Sequence, residues 1–326
     1  MAASRTGSGK TLAYLVPLVE KLYRSKFIPL DGLGAIVLVP VRELAMQVFE
    51  VLNSFTKSME LSVGMIIGGK DVQYEKQRIQ NMNILVCTPG RLLQHIEETY
   101  GFETANLQML VLDEADEMLQ LGFRETLDAI LRGLPHRQTM LFSATLNKTI
   151  HSLASLSLNS PERIFLHTAT KAEEATASAG IANIYETPLK LAQYYMIVEP
   201  SAKLNTLYSF IKEHPKKKIL VFLSTCKQVR FTYEAFKTFK FGCPLYELQG
   251  RQKQTKRMAI FYTFCEKQYG VLFCTNIASR GLDFPKIDWV IQVDIPEDVE
   301  TYVHRVGRTA RFRSEGRALT FVTPSE

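Results

Sequence analysis

The sequence predicts an α/β chain of two domains, each a mainly parallel sheet flanked by helices. Short β-rich apolar runs alternate with helix-patterned stretches, and that alternation argues for parallel sheets. The rhythm breaks once, near 171–190. A length of 326 residues also suits two domains, which typically run roughly 100 to 200 residues each.

In the first domain, expected over 1–170, GAIVLVP (34–40), MNILVCTP (82–89), LQMLVLDEAD (107–116) and QTMLFSAT (138–145) read as buried strands ending in polar residues. Between them, RELAMQVFEVLNSFTKSM and RETLDAILRGL carry apolar residues at helical spacing. The stretch KAEEATASAGIANIYETPLK (171–190) is poor in large apolar residues and is expected to be a linker. Strands resume in LAQYYMIVEP, KKKILVFLST, CPLYELQG, YGVLFCTNIA, KIDWVIQVDIP and GRALTFVTP, making a second domain over 191–326. Ligands of such sheets bind beyond the carboxyl ends of the strands. That is where the polar residues collect.

Composition, with 46% hydrophobic and 22% charged residues, excludes collagen-like, coiled-coil and wholly disordered chains. No apolar run approaches the roughly 20 residues that span a bilayer, and no charged-then-apolar leader is visible, so an intracellular setting is expected. Five scattered cysteines without C-x-x-C spacing suggest buried, reduced thiols rather than disulfides or zinc. The formal charge of +6 is uneven. Residues 1–200 hold 18 Lys and Arg against 21 Asp and Glu, whereas 201–326 hold 21 against 12. A basic second domain favours a polyanion partner, although solvated lysines alone could produce it.

SRTGSGKT (4–11), followed by LAYLVPLVEKLY, is a glycine-rich loop opening onto an amphipathic helix. It matches the end of G-x-x-x-x-G-K-[ST], with Ser4 where the first glycine would stand. Gly7 and Gly9 let backbone N–H groups face a phosphate; Lys10 would reach the β and γ phosphates and Thr11 would offer a hydroxyl to Mg²⁺. A glycine turn with a chance lysine is the plainer alternative. VLDEAD (111–116) weakens it, because the strand closes on carboxylates where the Mg²⁺ partner of such a loop belongs. Asp113 would hold the Mg²⁺ shell and Glu114 would orient or deprotonate water. Asp116 and Glu117 could be a solvated acidic turn.

TGSGKT (6–11), VRELAMQ (41–47), Gly68 and Gly69, TPGR (88–91), DEAD (113–116), SAT (143–145), ASRGLD (278–283) and HRVGRTAR (304–311) occur in one chain in this order. The sequence thereby resembles the DEAD-box ATP-dependent RNA helicases over essentially its whole length. The resemblance implies two RecA-like domains, an ATP site closed by both, Mg²⁺ as cofactor, and RNA held by its backbone without sequence preference. A monomer is expected. IIGGKD, ILVCTPGRLLQH and LSLNSPE look most like the nucleolar branch acting in small-subunit ribosomal RNA processing, which implies a pre-ribosomal RNA and a nuclear, nucleolar location.

By the same resemblance, Thr6, Gly7, Ser8, Gly9, Lys10, Thr11 and Asp283 would bind ATP, and Thr11 and Asp113 would hold Mg²⁺, partly through water. Lys10, Asp113, Glu114, Arg308 and Arg311 would form the catalytic set, the two arginines as fingers on the γ-phosphate. Ser143, Thr145, His304 and Arg305 would couple hydrolysis to RNA handling. Arg42, Gly69, Thr88 and Arg91, with Gln254, Arg257 and Thr275, would contact RNA phosphates and 2′-hydroxyls. Arg280 and Asp283 could instead be a local salt-bridge pair. Lys216 to Lys218 are expected to be a solvated edge, and Tyr194, Tyr195, Phe222, Phe273 and Trp289 to be core.

The pattern is broken at the start. Only MAAS precedes the loop, so the family's adenine-reading glutamine segment and most of its first strand are expected to be missing, as from a truncated chain. Val41, Gln249 and Asn276 also depart from the family pattern. Two readings compete with an RNA-dependent ATPase that remodels short duplexes: a non-hydrolysing RNA-binding fragment or scaffold, and a DNA-directed ATPase of the wider superfamily.

Overall fold

The computed structural model describes residues 1–3, 8–69, 71–145, 148–165, 187–188, 190–279, 282–311 and 314–326. Thr6, Gly7, Arg280 and nearly all of the expected linker lie outside them. The described residues form two compact units that divide within 166–186, and each is taken by itself.

The first unit is built on β1 (Ala2–Ala3), β2 (Ala35–Leu38), β3 (Val63–Ile66), β4 (Ile84–Cys87), β5 (Met109–Leu112), β6 (Gln138–Ser143) and β7 (Ile164–Phe165). They lie in the order β3-β4-β2-β5-β6-β1-β7, every pair parallel. Its helices are α1 (Lys10–Arg24), α2 (Arg42–Thr56), α3 (Val72–Arg78), α4 (Pro89–Glu98), α5 (Ala115–Gln120), α6 (Arg124–Gly133) and α7 (Lys148–Ser157). Alternation along the strands feeds two cores. Ile36, Leu38, Leu85, Leu110 and Leu112 face one side, whereas Val37, Ile84, Val86 and Val111 face the other with Leu15, Leu18 and Leu22 of α1. Both faces being covered explains why these strands read as unbroken apolar runs.

The first strand is present as a stub, with Ala2 and Ala3 paired to Phe142 and Ser143 on one side and to Ile164 and Phe165 on the other. The sheet therefore keeps a member between β6 and β7.

The second unit contains β8 (Leu191–Ile197), β9 (Lys218–Phe222), β10 (Leu245–Leu248), β11 (Gly270–Cys274), β12 (Trp289–Gln292) and β13 (Gly316–Val322), ordered β10-β11-β9-β12-β13-β8 and again all parallel. Its helices are α8 (Lys203–Glu213), α9 (Cys226–Lys237), α10 (Gln254–Glu266) and α11 (Val299–Val306). Local signals set their starts. Thr225 and Gln228 exchange side-chain and backbone hydrogen bonds in a capping box at α9, and Asp298 accepts from the Thr301 N–H at α11.

Phe222, Phe273 and Trp289 are core, but Tyr194 and Tyr195 are 50% and 75% exposed. They lie on β8, the sheet edge, where pairing to β13 alone leaves a strand less covered than its composition suggests. Lys218 is buried, not solvated. Its ammonium donates to the carbonyls of Cys265 at 2.9 Å and Lys267 at 2.8 Å and lies over the Phe264 ring. All five cysteines are free; Cys87 and Cys274 are buried, and Cys226, Cys243 and Cys265 only half-buried. Burial pushes the Cys265 thiol up to about 12.

Candidate functional site

The phosphate loop delivers its residues to the start of α1. Gly9 takes φ 92°, a left-handed conformation that glycine adopts at little cost, and Lys10 and Thr11 are the first two helical residues. The first-turn backbone N–H groups of a helix point outward along its axis, and with the helix dipole they make this end attractive to phosphate. Ser8 is exposed just ahead of it.

The polar end of β5 lies in the same unit. Asp113 and Glu114 are 3% and 8% exposed. Burial, with Glu114 beside it, pushes the Asp113 carboxyl up to about 6, while Lys10 favours its ionised form. Glu114 has φ 50°, a left-handed conformation that costs a non-glycine residue on the order of 1 kcal/mol or more and is typical of functional sites. One of its carboxylate oxygens is buried with no hydrogen-bond partner among the described residues. Two adjacent buried carboxylates with unmet electrostatic demand, in the unit that holds the Thr11 hydroxyl, are a donor set that fits a hard divalent cation such as Mg²⁺.

Sequence reasoning missed two residues here. Tyr14, one turn into α1 and fully buried against Phe142, donates its hydroxyl to Asp113 Oδ2 at 2.9 Å. It holds the carboxylate in place and favours its charge. Tyr14→Phe keeps the ring and removes only that bond. A hydrogen bond to a charged group contributes about 1.5 kcal/mol or more, so Asp113 should hold its proton more tightly. In an assay of the ATP turnover proposed below, the acid limb of the pH profile is expected to move to higher pH, with turnover near pH 6 down about sevenfold. An unmoved limb would exclude this role for the hydroxyl.

Asp116 is the second, and the solvated-turn expectation fails for it. It is buried, and its Oδ2 accepts from Ala144 N at 3.2 Å, Thr145 N at 3.0 Å and Thr145 Oγ1 at 2.9 Å. Glu117 is buried as well. Ser143 Oγ donates to the Thr145 carbonyl at 2.6 Å, closing the turn after β6. The acidic and SAT segments are thus one hydrogen-bonded piece, formed by residues 28 and 29 positions apart.

A second cluster occupies the ends of the neighbouring strands β3, β4 and β2. Arg42 opens α2, and its guanidinium lies beneath Gly68 and Gly69. A Cβ at Gly68 would come within 2.8 Å of Arg42 Nη2, and one at Gly69, where φ is also positive, within 2.7 Å of Nη1. Thr88 is the residue before α4, Pro89 its first residue, and Arg91 lies in its first turn. The strand order brings Arg42, Gly69, Thr88 and Arg91 to one edge region.

In the second unit, Gln254 starts α10 and accepts from Arg257 Nη2, and Thr275 follows β11, the neighbour of β10. After α11, Arg308 donates to the carbonyls of His304 at 3.1 Å and Leu282 at 2.5 Å. Arg311 donates to the Gly307 carbonyl at 2.9 Å and pairs with the Asp283 carboxylate. Arg305 is engaged inside its own domain. It donates to Asn276 Oδ1 and the Asp294 carbonyl, each at 2.8 Å, and lies over the Phe222 ring.

A family model described as DEAD/DEAH box helicase matches residues 1–153, and the helicase conserved C-terminal domain matches residues 202–313. The chain belongs to the DEAD-box helicase family. It is 54% identical over its whole length to ATP-dependent RNA helicase dbp4 of Schizosaccharomyces pombe, and equally to DBP4 of Coccidioides immitis. It spans 43% and 39% of those two proteins. Among solved structures, DEAD-box helicase Mss116 bound to ssRNA and UDP-BeF matches with a TM-score of 0.87 at 29% identity, covering 99% of this chain and 66% of that one. Dbp5 of S. cerevisiae bound to RNA and ADP BeF3 matches with a TM-score of 0.81 at 27% identity, covering 99% and 78%. The expected pair of RecA-like domains is the fold of this DEAD-box chain.

Proposed function

We propose that this chain is the core of an ATP-dependent RNA helicase that remodels or locally unwinds short RNA duplexes, acting in ribosomal RNA processing in the nucleolus. The observation that carries it is the buried Asp113–Glu114 pair in the unit that presents Lys10 and Thr11 at the N-terminus of α1. The α1 N–H groups and the Lys10 ammonium bind the β and γ phosphates. Thr11 and Asp113 would hold Mg²⁺, which when bound supplies charge neutralisation on the phosphate oxygens. Glu114 orients the attacking water and accepts its proton. Arg308 and Arg311 stabilise charge on the γ-phosphate in the transition state, while Asp283 and Ser8 contribute to nucleotide binding.

Asp116 transmits the state of the carboxylate segment to Ser143 and Thr145, and His304 and Arg305 act in the same coupling. Arg42, Gly69, Thr88 and Arg91, together with Gln254, Arg257 and Thr275, bind the RNA backbone through cations, hydroxyls and backbone N–H groups, a chemistry without base reading. The Lys and Arg excess after residue 200 supports this. The ribosomal assignment rests on the resemblance carried by IIGGKD, ILVCTPGRLLQH and LSLNSPE.

ATP turnover measured without nucleic acid, with single-stranded RNA and with single-stranded DNA tests the proposal. RNA is expected to stimulate turnover well beyond DNA. Salt-sensitive RNA binding with no ATP turnover would replace the proposal with a non-hydrolysing RNA-binding core.

A further inference from the structure

Beneath the RNA candidates of the first domain lies a buried polar cluster to which no role has been given. Glu75 of α3 is 6% exposed and His95 of α4 is fully buried. Glu75 Oε1 accepts from the Ile67 N–H at 3.3 Å, immediately before Gly68 and Gly69. Its Oε2 lies 3.1 Å from His95 Nε2 and 3.5 Å from Arg91 Nη1. His95 Nδ1 in turn lies 2.8 Å from the Thr99 hydroxyl. Arg91 and His95 are four residues apart on α4, so one carboxylate receives both from the same helix face.

A buried carboxylate is tolerated where donors surround it. Glu75 has a backbone N–H, an imidazole nitrogen and a guanidinium around it, drawn from two segments. Both carry proposed RNA groups: the turn of Gly68 and Gly69, under which Arg42 sits, and the α4 start with Thr88 and Arg91. We propose that Glu75 is a positioning residue for RNA, fixing Arg91 and the glycine turn relative to each other, and that His95 holds Glu75 in that role. Arg91 then meets RNA with its guanidinium already oriented, and the glycine turn cannot drift from α4. This rests on the RNA-remodelling reading above and adds to it the residues that preorganise the first-domain contact.

Glu75→Gln tests it. The glutamine keeps the shape, but its amide nitrogen is a donor, so it cannot accept at both former oxygens. The Ile67 N–H and the Arg91 guanidinium are donors only, so one of the two must lose its acceptor. RNA affinity in the presence of a non-hydrolysable ATP analogue, read by fluorescence anisotropy, is expected to weaken about tenfold, and the salt slope to fall by about one, as for a lost phosphate contact. ATP turnover should show a raised KM for RNA and an unchanged kcat at saturating RNA. Nucleotide affinity should stay within about twofold, since the α1 site is untouched. In an Arg91→Ala background the same change should add less than twofold, because the two groups act as one unit.

Unchanged RNA affinity in Glu75→Gln overturns the inference and leaves the RNA reading standing. Full additivity with Arg91→Ala, or an equal loss of nucleotide affinity, overturns it by showing general destabilisation. If Glu75→Gln does not fold, His95→Gln provides the measurement: it can still offer an N–H to Glu75, and about threefold weaker RNA binding is expected, with parental affinity overturning the inference. A parent protein that binds no RNA at any salt concentration fails the RNA reading itself, and the inference with it.

Discussion

Glu114→Gln is expected to lower RNA-stimulated ATP turnover by at least about a hundredfold while leaving nucleotide binding intact, because general base catalysis typically contributes 10² to 10⁴. The amide has the shape of the carboxylate but cannot take a proton from water. Glu114 also holds its place by a left-handed backbone, and its N–H donates to Asp113 Oδ1 at 3.0 Å; the substitution changes neither feature. Single-turnover phosphate release, paired with binding of a fluorescent nucleotide, separates chemistry from affinity. A loss of less than about fivefold would remove Glu114 from the proton-transfer role.

Arg311→Ala is expected to cost more, on the order of 10³ in kcat, the lower end of what an arginine finger supplies. Arg311 is a cleaner probe than Arg308. Arg308 donates to the carbonyls of His304 and Leu282 and Arg311 to that of Gly307, so removing Arg308 strands more buried acceptors. Arg311 pairs with Asp283, whose side chain is 55% exposed, and a partly solvated pair of that kind contributes little to stability. The variant should therefore melt near the parent temperature and bind RNA and nucleotide much as the parent does, yet turn over ATP slowly. Turnover within tenfold of the parent would assign the charge stabilisation elsewhere.

Much of this was legible in the sequence because the chemistry is written locally. Lys10 and Thr11 follow their glycines, Asp113 and Glu114 end an apolar run, and the strands of the second domain each carry a run of their own. The apolar-run reading does not pick out Val63–Ile66, a four-residue strand containing glycine and methionine, or the two-residue strands at Ala2–Ala3 and Ile164–Phe165. Other failures are matters of position in the fold. Tyr194 and Tyr195 have the composition of a core strand, but edge placement exposes them. Lys218 looks like one of three solvated lysines until Cys265 and Lys267 are folded onto it.

The residues that join segments were hardest to see. Tyr14 meets Asp113 across 99 residues, Asp116 meets Thr145 across 29, and Glu75 meets His95 across 20. No local pattern announces such pairs. They become visible only when the sheet order is known, because parallel crossovers bring the loops that follow separate strands to one end.

That order also makes the first domain a ruler. The groups proposed to hold RNA there follow β3, β4 and β2, three consecutive members of the sheet. Neighbouring strands lie about 4.8 Å apart, so their ends span only about 10 Å. On the proposed reading, the length of RNA these groups grip would be set by strand count, and lengthening the RNA or changing its bases would add nothing to that grip. A footprint so short would let the protein release its RNA after each local event, because no run of further contacts would build up along the strand to hold it in place.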